Sequence, residues 1–190
     1  MERVPELNAK TISLNGIKLN FYVLLLTLPL WAIVSGPYVL VHSSSQYVLG
    51  IIQILNYKVF IMLFLGIVIH ELLHALTWML LQKEGFANIK FGFNWQALTP
   101  YTHYTKSMQV WKYRLGGIMP GIVMGIIPVI VSYNLQNASI NFIGFLFVWA
   151  ASGDIISLWM IRKLKGSQMV KDHPDELGVI VLDANKGPLT

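Results

Sequence analysis

The chain contains no cysteine among its 190 residues. Disulfides and thiolate metal sites are therefore excluded, and any metal has to be held by histidine and carboxylate. Charge is scarce as well: 12% of the residues are charged, against about 25% in ordinary soluble domains. Acids are the scarcer sign, nine against fourteen Lys and Arg. Helical repeats and low-complexity segments are missing too, and the length leaves no room for a second soluble domain beside the apolar segments. One compact unit is expected.

What remains is apolar. Hydrophobic residues make up 55% of the sequence and the mean hydropathy is +0.57. A bilayer core of about 30 Å calls for roughly 20 apolar residues per helix. Four stretches qualify: residues 19–41, 59–81, 115–134 and 141–162. The first is too long for a signal-peptide core and lacks a small-residue cleavage pattern, so a retained helix is expected. Pro29 and Gly36-Pro37 predict a kink within it. The fold class expected is an all-α integral membrane protein with a leader over 1–18, a four-helix transmembrane domain over 19–162 and a tail over 163–190.

The cations orient these spans. Thirteen of the fourteen Lys and Arg lie in the leader (Arg3, Lys10, Lys18), the 82–114 loop and the tail from Arg162, while the 42–58 loop has only Lys58. That asymmetry is a positive-inside signal. It predicts a multi-pass protein of a prokaryotic cytoplasmic membrane, with both termini and the long loop on the cytoplasmic side. The net charge of +5 then reports topology and contact with lipid headgroups, not a nucleic-acid partner. Within the long loop, "NIKFGFN" alternates Ile89, Phe91 and Phe93 with polar or small residues, the period of a strand. A short β-hairpin or membrane-dipping loop is expected there, with "ALTPYTHYT" as the partner across a turn near Trp95-Gln96.

Two acids fall inside the apolar stretches, Glu71 and Asp154. An acid at the centre of a membrane helix costs about 2.5–3.5 kcal/mol to insert and marks function by default. Glu71 belongs to "HELLH", in which His70 and His74 are four apart and share one helix face. This is the H-E-x-x-H pattern, two metal ligands with a neighbouring general base. Asp154 lies among Ala150, Ala151, Ser152 and Gly153, seven residues short of Ile161, as His74 is seven short of Leu81. At 1.5 Å per residue, both sit roughly 10 Å below the same end of their helices. Asp154 is the expected third ligand of a zinc ion. Gly117, Gly121 and Gly125, spaced by four, predict close helix packing in the third span. His103 is read as a loop residue or a further polar group over the site, His173 as a turn residue, and His42 as interfacial.

"HELLH", "GGIMPG" and "SGD" together resemble a family of bacterial zincin-peptidase membrane proteins, itself similar to a minimal site-2 protease core. The resemblance spans about residues 55–182. It implies a Zn²⁺-dependent metallopeptidase with His70, His74 and Asp154 as ligands and Glu71 as base. The chain departs from the site-2 pattern in that Gly153 precedes the aspartate, and no Asn-x-Pro-x-Pro element accompanies it.

The leading expectation is therefore an intramembrane endopeptidase that hydrolyses peptide bonds near the cytoplasmic side, acting on a membrane protein or peptide. The edge of the 89–94 strand, with Phe91, Phe93 and Asn94, is expected to hold substrate in extended form, with His103 nearby. Two alternatives stand beside it. One is a non-enzymatic membrane protein with a closed structural zinc site, His103 serving as fourth ligand. The other is a small metal or proton transporter with an intramembrane His/carboxylate relay.

Overall fold

A computed structural model describes residues 10–174 and 176–182. The first half of the expected leader, with Arg3, the tail from residue 183, and Asp175 lie outside the described residues. The chain opens with strand β1 (Lys10–Leu14) and runs into helix α1 (Gly16–Val34), which starts where the Asn15 side chain accepts the Lys18 N–H at 3.0 Å. Pro29 is accommodated within α1. The break comes at Ser35, and Gly36-Pro37 opens α2 (Gly36–His42) with proline in its first turn. Helix α3 (Ser44–Ile54) occupies a segment expected as loop.

The long helix α4 (Tyr57–Gln82) follows, then strands β2 (Ile89–Asn94), β3 (Thr99–Tyr104) and β4 (Met108–Gln109). Helix α5 (Val110–Pro120) passes through a π-helical segment, Gly121–Ile126, into α6 (Ile127–Leu135). The switch begins directly after Pro120, which lacks the N–H that a regular α-turn would use. Helices α7 (Ala138–Ala150) and α8 (Ser152–Met160) come next, and strands β5 (Met169–Asp172) and β6 (Leu177–Leu182) complete the described chain.

Three helical stretches are long and apolar enough to cross a bilayer: Gly16–His42, Val59–Gln82 and Val110–Leu135. The α7–α8 pair, bent by 42° at Ala151, makes a fourth if counted as one span. The glycine stripe of the third span faces this pair, with Gly117 against Leu158, Gly121 against Ala151 and Gly125 against Val148. Large side chains on the outside of these helices, such as Leu24, Leu28, Phe60 and Phe64, are well exposed.

The all-α expectation needs correcting. β2 and β3 form the anticipated hairpin, Phe91 opposite Thr102. A second, four-stranded sheet in the order β1-β6-β5-β4 was not anticipated. It joins leader to tail, pairing Lys10 with Val181 through Leu14 with Leu177. Beneath it, Val170, Val179 and Val181 pack with Trp78, Tyr104, Met108, Val110 and Ile161. The sheet thus shares one apolar core with the ends of α4, α5 and α8.

Gly178 makes the leader–tail pairing possible. Its φ is +142°, and a Cβ there would strike the Ile12 carbonyl oxygen. Forcing a side chain into such backbone costs about 1–3 kcal/mol before any clash is counted. Gly178→Ala is therefore expected to detach β1, read as a lower Tm in detergent and as faster proteolysis before residue 16.

Candidate metal centre

His70 and His74 lie one turn apart on one face of α4, their ring centroids 5.0 Å apart. Both are buried, with 8% and 5% exposure. Opposite them is Asp154, in the first turn of α8. The bend at Ala151 places it in the opening turn of a new helix. His70 Nε2 lies 3.1 Å from Asp154 Oδ2, and His74 Nε2 lies 3.4 Å from Oδ1. One ligand atom from each of the three residues falls within 4.8 Å of the others.

This donor set fits zinc. Ligands about 2.1 Å from a tetrahedral ion stand roughly 3.4 Å apart, close to the separations observed. Two imidazoles with one carboxylate suit a borderline ion, and three protein ligands leave a coordination position open. His74 is also oriented for the task. Its Nδ1 donates to the Gly116 carbonyl at 2.9 Å; since a carbonyl only accepts, Nδ1 carries a proton, and Nε2 is the nitrogen that would ligate. On the other side of the ring, Trp78 stacks at 5.5 Å, and Tyr113 stacks on Trp78 at 5.7 Å.

Gly116 is required here for space. A Cβ at this position would run into the Trp78 indole, moving both the stacking partner and the carbonyl that hold His74. Gly116→Ala is expected to weaken zinc binding about 10- to 100-fold, the usual effect of losing an outer partner of a ligand. Competition with a zinc-chelating dye would measure it.

Glu71 is next to His70 in sequence and half-buried. Its Oε2 accepts the Thr102 hydroxyl at 2.8 Å, and its main-chain oxygen lies 2.9 Å from the same hydroxyl. Thr102 stands on β3, so the hairpin reaches the site through this strand. A cavity of about 680 Å³ opens in front of the cluster, walled by α1 at Leu19 and Val23, by β3 at Tyr101 and Thr102, and by α8 at Asp154 and Ser157.

The other residues expected in the site fall in different places. His103 lines the cavity but is outside the three-residue group. Asn94 lines it too, while its side-chain oxygen accepts the N–H groups of Gln96 and Ala97 at 2.9 Å and so shapes the hairpin turn. Phe91 and Phe93 are on β2, the strand away from the site; they are exposed and do not line the cavity.

Sequence reasoning missed Thr102, Gly116, Trp78 and Asp172. Asp172 is a buried carboxylate on the cavity wall that accepts the Tyr104 N–H at 2.8 Å. Burial pushes its carboxyl above the usual range, and the nearby His103 and that N–H pull it partly back. Thr102, Trp78 and Asp172 have no local signature; Gly116 opens the "GGIMPG" stretch, but nothing in that stretch announces the contact of its carbonyl with His74.

No curated protein and no solved structure matches the chain. A family model described as "Putative zincin peptidase" matches residues 63–168, more than half of the sequence, and takes in His70, Glu71, His74 and Asp154. A chain that pairs this match with two histidines and a carboxylate gathered at one point belongs to that zincin peptidase family.

Proposed function

We propose that the protein is a zinc-dependent intramembrane endopeptidase of site-2 protease type, cleaving an apolar segment of a membrane protein or peptide near the cytoplasmic face. The observation that carries this reading is the meeting of His70, His74 and Asp154, with Glu71 beside them, inside helices apolar enough to cross a bilayer. A prokaryotic cytoplasmic membrane is the proposed location. The cation asymmetry supports leader, tail and hairpin on the cytoplasmic side.

His70, His74 and Asp154 would hold the metal. When bound, zinc supplies a Lewis acid that eases ionisation of a water and polarises the scissile carbonyl. Glu71 takes the proton released as water attacks and delivers it to the leaving amine nitrogen. The carbonyl of Gly116 keeps His74 in the tautomer the centre needs. The apolar wall contributed by α1 excludes bulk water and receives an apolar segment.

The test is made on protein purified in detergent, with metal content and peptide cleavage measured together. One zinc per chain is expected, with cleavage that stops on chelation and returns when zinc is restored. A folded protein that carries one zinc and cleaves nothing, and that loses its fold on chelation, would move the assignment to a structural zinc site.

A further inference from the structure

We propose that Thr102 is a positioning residue for the general base, holding the Glu71 carboxylate from the hairpin so that Oε1 is the atom that receives the proton. The inference rests on the peptidase reading and adds a residue to it.

The hydroxyl of Thr102 carries one proton, and both acceptors within reach belong to Glu71: Oε2 at 2.8 Å and the main-chain oxygen at 2.9 Å. A single group that touches both ends of one residue fixes its carboxylate relative to its own backbone. With Oε2 engaged, Oε1 remains for proton transfer. When Oε1 takes a proton from water, Oε2 becomes the carbonyl oxygen of a neutral acid and continues to accept from Thr102. When that proton passes to the amine nitrogen of the leaving group, the carboxylate is regenerated in place. The contact is thus kept through the cycle, and no rearrangement is needed between the two transfers.

The element that supplies Thr102 is held at both ends. At the turn, Asn94 binds the N–H groups of Gln96 and Ala97, and Asn20 of α1 donates to the Gln96 carbonyl at 3.4 Å. At the base, Tyr104 donates to Glu84 at 2.7 Å, Lys106 donates to the same carboxylate at 3.1 Å, and Thr105 donates to the Asn88 carbonyl at 3.1 Å. A loose loop would let the hydroxyl wander. A hairpin pinned in this way delivers it to a fixed point, as a supporting residue must be delivered.

Wild type, Thr102→Val, Thr102→Ser, Glu71→Gln and the double variant Thr102→Val/Glu71→Gln test the inference. Each is purified in detergent and assayed for zinc content and for hydrolysis of a quenched-fluorescent peptide of apolar residues. Valine keeps the shape of threonine and removes the donor. The expected result for Thr102→Val is a fall in kcat of about 10- to 100-fold, the scale of a small misplacement of a reacting group, with KM and zinc content unchanged. Serine restores kcat. In the double variant, Thr102→Val costs nothing beyond Glu71→Gln, because it acts through that side chain. The inference is overturned by wild-type kcat in Thr102→Val, by failure of serine to restore it, or by independent losses in the double variant. Zinc-loaded wild type that hydrolyses no peptide overturns the peptidase reading, and the inference falls with it.

Discussion

Glu71→Gln is expected to cut peptide cleavage to a small residual rate while the protein keeps its zinc. Glutamine has the size of glutamate, and its carbonyl oxygen can accept the Thr102 hydroxyl in place of Oε2, so the geometry around α4 should survive. What is lost is an atom able to take a proton. General acid–base catalysis contributes about 10²–10⁴-fold, and the fall in kcat should reach at least that range, since the same side chain serves both the attack and the departure of the amine. Because Glu71 is not among the three grouped ligands, metal content should match wild type. The pairing of full zinc with only residual turnover is the diagnostic result. Full activity in Glu71→Gln would remove Glu71 from the mechanism, and loss of zinc would mean that the carboxylate is a ligand.

The parts of this site that were legible in the sequence are those for which burial in an apolar helix is expensive. Glu71 and Asp154 stand out because a lone acid in a membrane span needs a reason, and the four-residue spacing of His70 and His74 carries its own geometry. The β2–β3 hairpin was legible for a local reason too: alternation over Ile89–Asn94 is contained within a few residues, and its partner follows after a short turn. The four-stranded sheet had no such signal. Its β1–β6 pair joins Leu14 to Leu177, a separation no window along the chain can span, and "KTISL" on its own reads as a polar leader. The run "VIVL" on its own says only that the segment is apolar.

The same limit explains why the supports of the site went unseen. Thr102 bonds to Glu71 across 31 positions, and the Gly116 carbonyl meets His74 across 42. Both contacts are made by groups with no distinctive pattern: a threonine in a strand and a main-chain oxygen. Phe91 and Phe93, expected to meet substrate along the edge of β2, are exposed and off the cavity wall, and β3 is the strand packed on α4. Alternation identifies a strand and its two faces, but not which of two paired strands faces the chemistry.

Asp154→Ala is expected to remove zinc from the protein, and with it all cleavage. The two carboxylate oxygens meet both imidazoles, at 3.1 and 3.4 Å. Losing a ligand should therefore cost more than the 10- to 100-fold that an outer partner is worth, by about another order of magnitude. His70→Ala should have the same effect. Asp154→Asn separates this outcome from a purely hydrogen-bonded cluster. Asparagine can still meet an imidazole N–H with its carbonyl oxygen and an unprotonated nitrogen with its amide, so a cluster that exists only to pack α8 on α4 would tolerate it. A zinc centre would not, because the neutral amide is a poor ligand and the negative charge that offsets the dication is gone. Zinc lost in both the Asn and Ala variants, with a folded protein in the Asn case, establishes Asp154 as a ligand. Zinc retained in both would direct attention to His103, a further imidazole on the cavity wall, where His103→Ala should then release the metal.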